Sequence, residues 1–138
     1  MLADVPKLLG AKRQGGLRRQ PKKLSIIIWQ ISTIKKYGSI HLTSVNTVIA
    51  AEMVAMGTLT ESSVDCKRIL RAALLQNAAS IVLTHNHSSG NPEPSVSDIR
   101  FTAQLNNACK LMDINLLDHV ILASNSCYSF EQCKSYNY

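Results

Sequence analysis

Apolar and polar positions alternate in recognisable periods over most of the chain after residue 23. Leu24, Ile27, Ile28 and Ile31 recur at helical spacing and predict a short amphipathic helix or buried segment over Leu24–Ile34. Tyr37–Ser44 reads as a weak strand. Thr47–Val54, with β-branched residues near its start, reads as a stronger one. Gly57–Ser63 is polar and turn-like. Asp65 is a suitable N-cap for a helix from Cys66 to Asn77, with Ile69, Leu70, Ala73 and Leu74 on one face. Ala78–Thr84 is almost wholly apolar, as in a central strand covered on both sides. A loop rich in His, Ser, Gly, Asn and Pro follows, over His85–Pro94. Ser95, with Asp98 three residues on, resembles a capping box that opens a helix running to about residue 112. Leu116–Ala123 is a further strand, and Asn125-Ser126 is a turn into a short partner strand, Cys127–Phe130. Helices alternating with strands in this way predict a layered α/β domain.

Residues 1–23 break the pattern. They carry Gly10, Gly15, Gly16, Pro6 and Pro21 and no sustained apolar period, so they read as a flexible tail ahead of a domain over 24–138. Charge separates the two parts as well. Residues 1–51 hold nine Lys/Arg against Asp4 alone, whereas the remainder is slightly acidic, within a net charge of +6. Arg13, Arg18, Arg19, Lys22 and Lys23 are the candidate contacts to a nucleic-acid backbone. No aromatic residue interleaves them as a stacking platform, so a solvated tail is the plainer expectation. At 46% apolar residues the chain can bury one modest core. It has no apolar run of membrane-spanning length and no recognisable secretion signal, so a soluble cytoplasmic protein is expected. Cys66, Cys109, Cys127 and Cys133 form no CxxC pair and are expected to be reduced structural thiols.

The candidate chemistry lies between Thr84 and Asp98. Side chains two apart on a strand point the same way, so His85 and His87 can meet one ion. Asp98, in the first turn of the next helix, can supply a third ligand. Two imidazoles and one carboxylate leave a tetrahedral ion with one open position, the arrangement of catalytic rather than structural zinc. Taken singly, His-x-His is often a polar loop, and an acid in the first helical turn is often only a dipole partner. His119, beside Asp118, reads as an ordinary strand residue that could also approach the metal or support one of its ligands from behind.

His-x-His, seven residues, Ser, two residues, Asp resembles the metal signature of the JAB1/MPN (JAMM) metalloprotease fold, here as His85, His87, Ser95 and Asp98. The runs LTHNHSSGNPEPSVSDI, KLMDINLLDHVIL and CYSF narrow the resemblance to the RadC family of JAB domains, named as DNA repair proteins, over roughly Val45–Phe130. The resemblance implies a mixed curved sheet flanked by helices, with one Zn²⁺ at the end of a central strand. His85, His87 and Asp98 would be its ligands, and Ser95 would hydrogen-bond the metal's water or a developing oxyanion. It implies a zinc-dependent hydrolase of metallopeptidase type acting on a peptide or protein, or a DNA-repair accessory domain.

The chain departs from the pattern in two places. Pro usually follows the second His, where this chain has Ser88, which leaves the loop less rigid. The family's general-base Glu falls within Ile34–Gly38, a stretch without an acid, and Lys35 takes its place. Glu52 is the nearest substitute base, with Glu61 beyond it. A missing base typically costs ~10²–10⁴-fold in rate. Weak or absent peptidase activity with metal binding retained is therefore expected.

Overall fold

The computed structural model describes residues 34–56 and 65–137. The expected tail over 1–23, nearly all of the segment 24–34 and the turn over 57–63 lie outside the described residues.

Strand β1 spans Lys36–Leu42 and pairs antiparallel with β2, Val48–Met56. Helix α1, Cys66–Leu75, begins at Asp65, whose carboxylate accepts from Lys67 N at 2.9 Å. Its stop comes earlier than the expected Asn77. Asn77 takes a left-handed conformation at φ 50°, and Ala78 N turns back to Ala73 O at 3.0 Å. This exit delays β3, which runs Ser80–Asn86 and not from Ala78. Every residue of β3 is buried, as its apolar sequence predicts for a central strand.

Helix α2, Val96–Leu111, opens on the expected capping box. Ser95 Oγ accepts from Asp98 N, and the Asp98 carboxylate accepts from Ser95 N. It carries the chain across to β4, Asn115–Leu122, which lies parallel to β3. Strands β5, Ser126–Ser129, and β6, Lys134–Asn137, complete an antiparallel edge. Strand β6 has no counterpart in the sequence reading. It is a short, mostly exposed partner of β5, reached through Cys133 at φ 52°.

The sheet is open, with the order β2-β1-β3-β4-β5-β6. Register shifts at Tyr37/Gly38 and His41/Leu42 add local twist along β1. Both helices pack on one face, where Ile69 and Ala73 of α1 and Leu105 and Cys109 of α2 cover Ile81, Leu83 and Tyr37. Leu42, Val82, Val120, Leu122 and Cys127 form a second cluster. All four cysteines are free thiols, with Cys109 and Cys127 buried. Among the described residues no helix is long and apolar enough to cross a membrane.

Candidate metal centre

The end of β3, the following loop and the first turn of α2 meet at one point. His85 Nε2 lies 2.9 Å from His87 Nε2 and 3.2 Å from Asp98 Oδ1, and His87 Nε2 lies 3.2 Å from Asp98 Oδ2. These edges are close to the ~3.3 Å expected between ligand atoms of a tetrahedral ion with ~2.0–2.1 Å bonds. His85 and Asp98 are buried, while His87 retains some exposure and opens the site to solvent.

Hydrogen bonding fixes which nitrogens can serve as ligands. The His87 Nδ1–H faces the main-chain carbonyl of Asn91 at 3.0 Å, so its Nε2 carries a lone pair. The loop achieves this by turning at Gly90, where φ is +79° and the amide reaches His87 O at 3.3 Å. For His85 the assignment passes through three residues. Thr102 Oγ1 donates its proton to Asp98 O at 2.6 Å. It must then accept from His119 Nδ1, 2.7 Å away, which leaves His119 Nε2 as an acceptor. His85 Nδ1–H donates to that nitrogen at 2.7 Å, and His85 Nε2 is left with its lone pair. Two lone pairs and a carboxylate therefore face one point at short range. That donor set calls for a cation, and it fits a metal ion.

The sequence leaves His119 as an ordinary strand residue first and a support for a metal ligand second, and the structure favours the second. The side chain is fully buried, stacked on Phe130 at 4.8 Å, and bonded directly to a candidate ligand. Phe130 is held in place by its amide on His119 O and by the buried Asp118 carboxylate, which accepts from Ser129 Oγ, His119 N and Glu131 N. The relevant signal is the parallel register that sets His119 beside Leu83, two residues before His85, and no local pattern reveals it.

The charges follow from this packing. Burial lowers the pKa of His85 to about 4, against the opposing pull of Asp98, so the ring is neutral at neutral pH. Complete burial holds His119 well below the usual histidine range.

Ser95 and the carboxylates occupy definite places. Ser95 Oγ donates to Asp98 Oδ2 at 2.7 Å, so in this arrangement its proton is committed to orienting a ligand. Glu52 stands opposite Ser39, which stands opposite Leu83, and its carboxylate accepts from Gln76 Nε2 at 2.8 Å. Glu93 accepts from Ser135 Oγ at 2.8 Å. Glu61, Arg13, Arg18, Arg19, Lys22 and Lys23 lie outside the described residues. Beside the triad stands Lys35, with Nζ 3.8 Å from Asp98 Oδ1 and 5.3 Å from the centre of the Tyr37 ring. Tyr37 in turn stacks on His85 at 4.8 Å. Asn86 pins the backbone around Lys35, accepting from Lys36 N at 2.6 Å and donating to Ile34 O at 3.1 Å.

Comparison with known proteins identifies the family of the stretch that carries this geometry. A family model described as RadC-like JAB domain matches residues 24–135. A UPF0758 protein of Herminiimonas arsenicoxydans is 45% identical over 87 residues, covering 63% of this chain and 39% of the relative. UPF0758 proteins of Pseudoalteromonas translucida and Thiobacillus denitrificans are 41% and 45% identical over 93 residues, each covering 67% of this chain and 42% of the relative. The chain thus spans about two fifths of the length of these curated relatives. Over the stretch that holds the His-His-Asp cluster and the sheet around it, the chain belongs to the RadC-like JAB domain family.

Proposed function

We propose that this domain binds one Zn²⁺ through His85 Nε2, His87 Nε2 and Asp98, and that its capacity for metallopeptidase-type hydrolysis is impaired. The observation that carries the reading is the meeting of two imidazole lone pairs and a carboxylate at 2.9–3.2 Å. Nitrogen and oxygen donors in this number suit zinc with one position left open. Zinc in such a site supplies Lewis acidity toward a carbonyl and activates water.

The chain's own residues would divide the remaining work. His119 and Thr102 keep His85 in the ligating tautomer. Asn91 O does the same for His87, and Ser95 orients Asp98. None of these is a proton acceptor of the kind that amide hydrolysis requires. Lys35, held beside Asp98, is an ammonium and cannot take a proton. The position that calls for a general base thus holds a cation, and metal binding survives that exchange better than catalysis does.

The test is metal content together with turnover. The purified chain is expected to hold one equivalent of zinc, and the His85→Ala, His87→Ala double variant well under a tenth of that. Peptide and isopeptide substrates should show no zinc-dependent cleavage. Equal zinc content in both proteins would overturn the metal assignment. Robust zinc-dependent turnover, lost in His87→Ala, would overturn the impairment.

A further inference from the structure

We infer that the metal centre together with Lys35 forms a binding site for a dianionic phosphate group. The inference rests on the zinc reading above and concerns the ligand that the site would take. Its starting point is a charge count. Two neutral imidazoles, one carboxylate and a divalent ion leave one positive charge, and the Lys35 ammonium brings the total to two. A carboxylate at the Lys35 position would instead cancel the charge of the loaded site.

Lys35 is held at the site by more than its own side chain. Asn86, the residue between the two ligand histidines, clasps the backbone on either side of it through Lys36 N and Ile34 O. The ammonium rests above the Tyr37 ring, and Tyr37 stacks on His85. The strand that carries a ligand therefore also places the second cation. With Nζ 3.8 Å from Asp98 Oδ1, and that oxygen ~2.0–2.2 Å from a bound ion, the ammonium and the ion lie at most about 6 Å apart. A tetrahedral phosphate spans such a gap, with one oxygen in the open metal position and a second accepting from Nζ. Lys35 is 36% exposed at its side chain and His87 16%, so the approach is from solvent. A monoanionic carboxylate would satisfy only half of the excess charge.

The experiment is calorimetric titration of the zinc-loaded full chain with inorganic phosphate, phenyl phosphate and acetate, using wild type, Lys35→Met and Lys35→Arg. Zinc content is measured on each sample. Phosphate should bind the wild type, acetate should bind at least about tenfold more weakly, and Lys35→Met should lose at least about tenfold in phosphate affinity, the size of one charge-assisted contact. Lys35→Arg should stay within a few-fold of wild type. Phenyl phosphate that binds as phosphate does, and competes with it, identifies the ligand as a phosphoryl group on a larger molecule. Its exclusion identifies the free ion. Equal phosphate affinity in wild type and Lys35→Met, with zinc present in both, would overturn this inference and leave the zinc reading standing. A chain that takes up no zinc would overturn both.

Discussion

His119→Phe is the most informative single change at the centre. Phe keeps an aromatic ring to stack on Phe130, which lies at 4.8 Å and 6° from parallel, although the larger ring adds a packing cost of its own. It removes the nitrogen that accepts from His85 Nδ1–H at 2.7 Å. A buried donor left without a partner costs ~1–3 kcal/mol. His85 can avoid that cost by moving its proton to Nε2, which would then donate to Asp98 Oδ1, 3.2 Å away. The metal-free protein is therefore expected to keep most of its stability. Zinc must then displace that proton and restore the unfavourable tautomer, so the penalty falls on binding. A loss of ~10–100-fold in zinc affinity is expected, as for other groups that orient a metal ligand from behind. The assay is competition against a chromophoric chelator, with circular dichroism of the metal-free protein as the control. Thr102→Val acts one step further from the metal and should cost less than tenfold. Zinc affinity unchanged within twofold in a natively folded His119→Phe protein would refute the tautomer reasoning.

Four other outcomes are expected. Lys35→Glu removes a positive charge beside the ion and adds a negative one, so zinc affinity should rise by at least tenfold in the same competition assay; if Glu at this position also serves as a base, peptide cleavage should appear with it. His41→Leu should raise the thermal midpoint by several degrees, because His41 is fully buried with neither ring nitrogen hydrogen-bonded, and an apolar side chain close to it in volume removes a ~1–3 kcal/mol burden. Ser95→Ala should destabilise the metal-free domain by ~1 kcal/mol in urea melts through loss of the α2 cap, and should weaken zinc binding by freeing Asp98 Oδ2. Acid should destabilise the metal-free domain. The pKa of His85 falls from the ordinary 6.5 to about 4 on folding, so its contribution is complete above pH 6.5 and is lost as pH falls toward 4, at most ~3 kcal/mol over that window, which melts at stepped pH will show.

The triad was legible from sequence because its parts are local. Strand periodicity aligns His85 with His87, and an N-cap three residues before an acid places Asp98 at the start of α2. The sequence expectation set Lys35 at the general-base position, and the structure stands it beside Asp98, next to the antiparallel pairing of Tyr37 with His85. His119 was legible only as one option, a support for a metal ligand from behind, and Thr102 was not legible as its partner. Their meeting depends on the β3–β4 register and on how α2 lies across the sheet, and no spacing within either segment encodes that. The start of β3 was misplaced by two residues because Ala78 and Ala79 look apolar enough for a strand, whereas the left-handed Asn77 commits them to leaving α1. Strand β6 was missed because Lys134–Asn137 is polar and gains its order from β5.

The contacts around His85 close into a ring. Asp98 offers its carboxylate to the same point as His85 Nε2, and through its main-chain carbonyl it receives the Thr102 proton that, by way of His119, settles where the His85 proton resides. One residue therefore acts on the centre from both sides, once by charge and once by bookkeeping of protons. Substitutions around such a circuit should not add. A double-mutant cycle between His119 and Asp98 should show a coupling energy of ~0.5–3 kcal/mol in metal binding, although the two side chains exchange no direct bond. Replacing Asp98 by Glu would also do more than lengthen an arm, because any shift of the first turn of α2 moves the carbonyl that sets the far tautomer. Variation at the four positions is then expected to be concerted, and a designer who exchanges one of them will have to retune the other three.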